Sequence, residues 1–119
     1  MRILIVDDNP SSRFIIKDLL ESRGHRIVAE TEDLAASLEA YRTHRPDLVT
    51  LDLSLEGEDG LSVLRAILKL DEHAKILIIT GNSQEKIHEE VRAAGAGGLL
   101  LKPFLLEELA SAVERVQSR

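Results

Sequence analysis

The sequence contains no cysteine and no tryptophan, and aromatic residues make up only 3% of it. Without cysteine the chain can form neither disulfides nor thiolate metal sites, and this composition favours a reducing, cytoplasmic setting. Because aromatic side chains are scarce, a core would have to be packed by Leu, Ile, Val and Ala. The hydrophobic share of 44% is ordinary for a folded protein, so we expect an ordered chain.

Long hydrophobic runs and an excess of positive charge are also missing. No apolar stretch approaches membrane-spanning length, and the first residues lead into a short apolar run rather than a secretory signal. Fifteen Lys and Arg against 21 Asp and Glu leave a formal charge of −6, which disfavours binding to nucleic acid or anionic lipid. We therefore expect no direct nucleic-acid partner and no membrane association. The length of 119 residues predicts one domain over residues 1–119.

Short apolar runs alternate along the chain with segments of helical spacing. The runs predicted to be strands cover residues 3–6, 27–29, 48–53, 76–79 and 99–101. Between and after them, apolar residues recur three or four positions apart, as in Ile15, Leu19 and Leu20, which predicts five amphipathic helices. Strict alternation needs crossover connections, so the predicted class is α/β, a parallel sheet with helices on both faces. The short second run, flanked by Arg26 and Glu30, is expected at an edge.

Polar residues follow the predicted strands where ligands of open α/β sheets bind. Asp7 and Asp8 follow the first strand, Asp52 lies at the end of the third, Thr80 ends the fourth, and Lys102 follows the fifth. Each pair of carboxylates about 4 Å apart repels by roughly 4 kcal/mol at an effective dielectric of about 20, so the three need a cation. Oxygen ligands without His or Cys select a hard ion with open water positions, and Mg²⁺ is predicted, with Mn²⁺ as a substitute.

The same residue types suit phosphoryl chemistry. A lysine and a threonine hydroxyl beside a divalent ion can stabilise the equatorial oxygens of a phosphoryl group. The nucleophile would then be a carboxylate, which can form an aspartyl phosphate.

The order and spacing of several motifs carry a family resemblance across essentially the whole chain. They are Val6-Asp7-Asp8-Asn9, Asp52 with Asp59-Gly60, Thr80-Gly81, Gly95-Ala96 and Leu101-Lys102-Pro103-Phe104. Together they resemble the bacterial response-regulator receiver domain of two-component signalling, including single-domain chemotaxis regulators. The resemblance implies a flavodoxin-like, doubly wound (βα)5 three-layer sandwich with parallel strand order 2-1-3-4-5.

The resemblance also implies roles for individual residues. Asp52 would accept a phosphoryl group from the phosphohistidine of a sensor kinase or phosphotransfer protein, or from a small phosphodonor. Mg²⁺ would be bound by Asp8, Asp52 and the backbone carbonyl of Ser54, with Asp7 acting mainly through water. Lys102 would pair with the phosphoryl oxygens, and Thr80 would move to hydrogen-bond them.

The resemblance also implies which residues flank the site and what phosphorylation does to the protein. Ser54 and Asn82 would flank the phosphoryl group and tune its hydrolysis, and the Lys102–Pro103 bond would be cis. Such a domain catalyses only its own phosphorylation and dephosphorylation. It switches a downstream protein target or effector domain through the face formed by the fourth helix, fifth strand and fifth helix, where a phosphorylation-dependent homodimer is an open alternative.

Two departures from the family pattern stand out. Leu55-Glu56 replaces the frequent Met-Pro after the acceptor, and Glu58 adds negative charge to that loop. Leu99 stands where many members carry a Tyr or Phe that reports phosphorylation, so an aromatic switch cannot operate here. This keeps open the alternative of a receiver-like interaction module that is never phosphorylated.

Other chemistries fit the residues less well. In a Mg²⁺-dependent phosphohydrolase that uses an aspartyl phosphate, the nucleophile usually follows the first strand in an Asp-x-Asp pattern, which Asp7-Asp8-Asn9 lacks. A dinucleotide site would need a glycine-rich loop after the first strand, which is also absent. The histidines lack the spacing of a metal site and are predicted at the surface, at positions His25, His44, His73 and His88.

Overall fold

The computed structural model describes residues 1–55 and 59–118 of the chain. Strands and helices alternate along these residues. Their bounds are β1 Arg2–Val6, α1 Pro10–Ser22, β2 Arg26–Thr31, α2 Leu34–His44, β3 Leu48–Leu51, α3 Gly60–Leu70, β4 Ile76–Thr80, α4 Glu85–Ala94, β5 Gly98–Leu101 and α5 Leu106–Gln117.

The strands form one parallel sheet in the order β2-β1-β3-β4-β5, which confirms the predicted flavodoxin-like topology. β2 lies at an edge, as expected, but it is longer than predicted, because it covers Arg26–Thr31 rather than residues 27–29. The third strand is shorter than predicted, because it ends at Leu51 rather than at residue 53. The chain turns out of the ladder after Leu51, and the Ser54 N–H there donates to the carboxylate of Asp52.

Two apolar layers cover the sheet, one on each face. Ile3 and Ile5 of β1 point into the layer formed with α1 and α5, whereas Leu4 and Val6 point into the layer formed with α2, α3 and α4. Strands buried on both faces need continuous apolar runs, which is what the central strands carry. Within the described residues, no helix is both long enough and apolar enough to cross a membrane.

Helix ends follow local sequence signals. Asn9 caps α1 by accepting hydrogen bonds from the Ser11 and Ser12 amides at 2.9 and 3.1 Å, and Pro10 occupies the first turn. Gly95 ends α4 with φ +108°, a left-handed conformation that glycine adopts without strain.

Gly60 allows α3 to begin against the segment that follows β3. A Cβ atom at this position would lie 2.8 Å from the carbonyl oxygen of Leu53 and 2.9 Å from that of Asp52. Asp59 caps the helix by accepting from the Leu61 amide at 3.0 Å. Glu56 and Glu58, the acidic residues that depart from the family pattern after Asp52, lie outside the described residues.

The prediction that all four histidines are at the surface is wrong for His88. Its side chain is on the core-facing side of α4 and only 6% of the residue is exposed. His73 is exposed, while His25 and His44 are half-buried. Burial of the His88 imidazole is tolerated because its Nε2 lies 2.8 Å from the backbone carbonyl oxygen of Asn82.

Candidate functional site

The carboxyl ends of β1, β3, β4 and β5 meet at one edge of the sheet and bring the predicted site residues together. Backbone hydrogen bonds extend the strand pairing beyond the strand ends. The Asp52 N–H donates to the Val6 carbonyl at 2.9 Å, and the Lys102 N–H donates to the Thr80 carbonyl at 2.8 Å. Since β1 and β3 are neighbours and α1 and α3 cover opposite faces, their loops diverge and leave a crevice.

Asp7 is almost fully buried, with 1% of the residue exposed, and both of its carboxylate oxygens are bonded. Oδ1 accepts from the Asn9 amide at 2.9 Å. Oδ2 accepts from the Ser12 hydroxyl at 2.6 Å and from the Lys102 ammonium at 3.2 Å. The carboxylate is therefore held in one orientation by three donors from three different positions.

Asp52 is also buried, with 7% of the residue exposed. Its Oδ1 accepts from the Ser54 amide at 2.9 Å, and its Oδ2 accepts from the Lys102 ammonium at 2.9 Å. The side chains of Asp7, Asp52 and Lys102 thus form one connected group, the acidic pocket. Two carboxylates face a single ammonium, which leaves an excess of one negative charge if all three are ionised.

Lys102 reaches the acidic pocket from the end of β5. Burial works against its charge, but the hydrogen bond and charge of Asp52, together with those of Asp7, outweigh burial and raise the pKa of Lys102 above its ordinary value. The ammonium consequently stays charged at neutral pH. The Lys102–Pro103 bond is cis, as the family resemblance implied.

Asp8 is half-buried beside the acidic pocket. In residues 1–55 and 59–118, no group of three or more His, Cys, Asp or Glu side chains is arranged as a metal site. The chemistry of the donors nevertheless fits Mg²⁺, which is commonly held by one or two carboxylates and several waters. Asp7 and Asp52 form such a pair and already share a cation, the Lys102 ammonium. The Mg²⁺ site stays a prediction.

Thr80 is fully buried at the end of β4, and its Oγ1 accepts a hydrogen bond from the Asn82 amide at 3.1 Å. Ser54 and Asn82, the predicted flanking positions, line a cavity of about 180 Å³ between the starts of α3 and α4. Leu99 is half-buried on β5 and packs against the apolar layer under α2, α3 and α4. The site residues predicted from the sequence therefore surround the same end of the sheet.

Sequence reasoning missed two residues that support Asp7. Ser12 donates directly to its carboxylate, and Arg13 donates to its backbone carbonyl at 2.8 Å while pairing with Glu32 at 2.7 Å. Both lie in the first turns of α1, immediately after the Asn9 cap. The sequence could indicate a helix start after Asp7-Asp8-Asn9, but not which group the side chains of its first turns would contact.

Fold and site together define a class of protein, namely a doubly wound parallel α/β domain with an acid and lysine pocket at its topological switch point. Comparison with known proteins gives the family. The family model described as "Response regulator receiver domain" matches residues 3–114. The chain therefore belongs to the response-regulator receiver domain family.

Individual relatives agree with that assignment. The chain is 37% identical to the chemotaxis protein CheY of Bacillus subtilis over 114 residues, which cover 96% of this chain and 95% of that protein. It is 34% identical to the transcriptional regulatory protein PdtaR of Mycobacterium tuberculosis, covering 99% of this chain but 57% of that protein. A two-component response regulator of the LuxR family from Aurantimonas superposes with a TM-score of 0.93 at 36% identity, covering 98% of this chain and 84% of that one.

Proposed function

We propose that this chain is the phosphoacceptor receiver of a two-component or phosphorelay system, with Asp52 as the acceptor. The main support is the Lys102 ammonium, which lies 2.9 Å from Asp52 Oδ2 and 3.2 Å from Asp7 Oδ2. A fixed cation next to a buried carboxylate is suited to a phosphoryl group, which carries a charge of about −1.5 to −2 once it is bonded to the acceptor.

The chemical step is a transfer between two nucleophiles. A carboxylate oxygen of Asp52 forms a bond to phosphorus while the P–N bond of a phosphohistidine breaks. The electron pair of that bond remains on the ring nitrogen, and the group leaves as neutral imidazole once the ring carries a proton. Lys102 and the Thr80 hydroxyl stabilise the negative charge of the phosphoryl oxygens, and the Ser54 amide holds the other carboxylate oxygen in place.

Mg²⁺ would be held by Asp7, Asp8, Asp52 and the backbone carbonyl of Ser54, and Mn²⁺ would substitute for it. When bound, the ion supplies positive charge to the carboxylates and to the transferring phosphoryl group. The residues of the chain contribute the orientation, because both oxygens of Asp7 and of Asp52 are already fixed by hydrogen bonds.

The partners follow from the same proposal. The phosphodonor is a sensor histidine kinase or a phosphotransfer protein, and the output is a changed interaction with a protein target or an effector domain. The chain acts on no separate substrate, since it catalyses only its own phosphorylation and dephosphorylation. A homodimer that forms on phosphorylation is one form this output can take.

Intact-mass analysis tests the acceptor. We expect the protein, incubated with acetyl phosphate and Mg²⁺, to gain one phosphoryl group that hydroxylamine removes, as an acyl phosphate requires. Asp52→Asn keeps the side-chain size but removes the nucleophile, and it should gain none. Asp18→Ala, which changes an exposed carboxylate on α1, is the matched control and should behave like the wild type.

Other outcomes point to other functions. No gain by the wild type, or gain by Asp52→Asn, contradicts the proposal. Absence of phosphorylation combined with retained partner binding would favour a phosphorylation-independent interaction module, for which the aliphatic Leu99 is the supporting observation. Repeated turnover of phosphate esters would instead indicate a phosphohydrolase.

A further inference from the structure

The buried imidazole of His88 is a polar group inside an apolar layer. His88 and Val91 are the buried residues of α4, and 6% of His88 is exposed. An imidazole removed from water needs a hydrogen-bond partner. Its Nε2 has one in the Asn82 carbonyl oxygen, 2.8 Å away. Because a carbonyl oxygen only accepts, Nε2 must carry the proton and donate it.

Asn82 is bonded through both of its backbone groups. Its carbonyl accepts from His88, while its N–H donates to the Thr80 hydroxyl oxygen at 3.1 Å. One peptide segment thus connects the hydroxyl at the end of β4 with a ring about one turn inside α4. The connection runs from Thr80 Oγ1 through Asn82 to His88 Nε2 and consists of two hydrogen bonds.

The start of α4 makes this connection important for the position of the helix. Gln84, the N-cap residue of α4, forms no side-chain capping bond to the helix in the described part of the chain. Its own amide donates to the Asn82 side chain at 2.9 Å, so the loop of residues 81–84 is folded around Asn82. A shift of Asn82 therefore reaches α4 both through the loop and through His88.

Leu99 provides no polar route to α4. It is aliphatic and half-buried, so it can repack against the layer under α2, α3 and α4 but cannot exchange a hydrogen bond. Two partly buried hydrogen bonds connect Thr80 with α4 through Asn82 and His88.

We infer that His88 is a positioning residue that couples the Thr80 hydroxyl to α4 through the backbone of Asn82. This inference rests on the proposed phosphorylation of Asp52. When Thr80 turns towards a phosphoryl group, the Asn82 N–H either loses its acceptor, the Thr80 hydroxyl oxygen, or moves with it. The Asn82 carbonyl then moves relative to His88, and the start of α4 moves with it.

Amide NMR of the full chain tests the inference, with beryllium fluoride and Mg²⁺ as the phosphoryl mimic. In the wild type we expect the mimic to shift amides of the acidic pocket, of residues 81–84 and of residues 85–94. His88→Leu removes the donor, so the acidic pocket should respond as before while residues 85–94 lose their response. His88→Gln restores an amide donor near the Nε2 position and should recover it.

Val91→Ala separates lost packing from the lost hydrogen bond, because it weakens the same buried face of α4 but removes neither partner of the bond between His88 and the Asn82 carbonyl. We expect a lower unfolding temperature but an unchanged response of α4 to the mimic. A response of α4 in His88→Leu equal to that of the wild type would overturn the inference. So would loss of the response in Val91→Ala or in His88→Gln.

A measurement without the mimic keeps this inference distinct from the proposed function. The imidazole ¹⁵N shifts of the unliganded protein should show a proton on Nε2, and the opposite tautomer would overturn the inference by itself. If that proton is present but the mimic shifts no amide of the wild-type acidic pocket, the proposed function fails, and with it the coupling role of His88.

Discussion

The acidic pocket and the loop of residues 81–84 lie at the same end of the sheet but are held very differently. In the pocket, each oxygen of Asp7 and of Asp52 accepts at least one hydrogen bond, and Lys102 connects the two carboxylates. In the loop, the Thr80 hydroxyl and the Asn82 carbonyl each take part in one hydrogen bond, and neither bond involves a carboxylate or a lysine. The chemical groups are therefore held by hydrogen bonds to and from charged side chains, whereas the groups that would report the chemistry are not.

The two glycines beside these regions show the same contrast in packing. A Cβ atom on Gly60, next to Asp52, would overlap the backbone of residues 52 and 53, whereas one on Gly81 would meet nothing within 4 Å. A tightly packed acceptor next to a loosely packed loop allows a rearrangement that does not disturb the acceptor.

Among these tests, removing the Lys102 ammonium from the acidic pocket should produce the largest effect. Lys102→Ala leaves the buried carboxylates of Asp7 and Asp52 without their shared ammonium, and it removes a donor to the phosphoryl oxygens. We expect the rate of phosphorylation by acetyl phosphate to fall about 10²–10³-fold, the usual loss when one preorganised charge-stabilising donor is removed. Time-resolved intact-mass analysis measures that rate.

Lys69→Ala is the matched control, because Lys69 is an exposed lysine in the last turn of α3. Its rate of phosphorylation should equal that of the wild type. A Lys102→Ala protein that folds and is phosphorylated at the wild-type rate would show that the ammonium only balances charge in the unphosphorylated state.

The glycine pair tests the difference in packing directly. Gly60→Ala should lower the free energy of unfolding by about 1–3 kcal/mol, the typical range for forcing an extra carbon into a packed site. Gly81→Ala should change it by less than about 0.5 kcal/mol, since its φ is not positive and its surroundings are open. Urea unfolding measures both values. Equal losses in the two variants would mean that the loop is packed as tightly as the acceptor segment.

The acidic pocket is also the region that the sequence predicts well. Parallel topology alone places the residues that follow β1, β3 and β5 at one edge, so Asp7, Asp52 and Lys102 could be grouped before any coordinates were known. The end of β3 could not be predicted from the sequence. The apolar Leu53 continues the strand pattern, while the turn at Asp52 depends on a hydrogen bond from Ser54.

His88 and Ser12 were unpredictable for a related reason. Helical periodicity can identify a buried face, but whether a polar residue may occupy it depends on a partner elsewhere. For His88 that partner is a carbonyl in an irregular loop, and for Ser12 it is a carboxylate whose position depends on where α1 begins. Sequence patterns report neither partner.

Ser12 offers the test of the acidic pocket with the smallest expected effect. Ser12→Ala removes the 2.6 Å hydrogen bond to Asp7 Oδ2, and hydrogen bonds to charged groups contribute about 1.5–3 kcal/mol, so the free energy of unfolding should fall by about 1.5 kcal/mol. Ser11→Ala changes the neighbouring, exposed serine in the same helical turn and controls for helix propensity. The difference between the two variants in urea unfolding isolates the bond to Asp7. If the two variants unfold alike, then Asp7 is held by Asn9 and Lys102 alone, and the contrast with the loop of residues 81–84 is weaker than the hydrogen-bond pattern indicates.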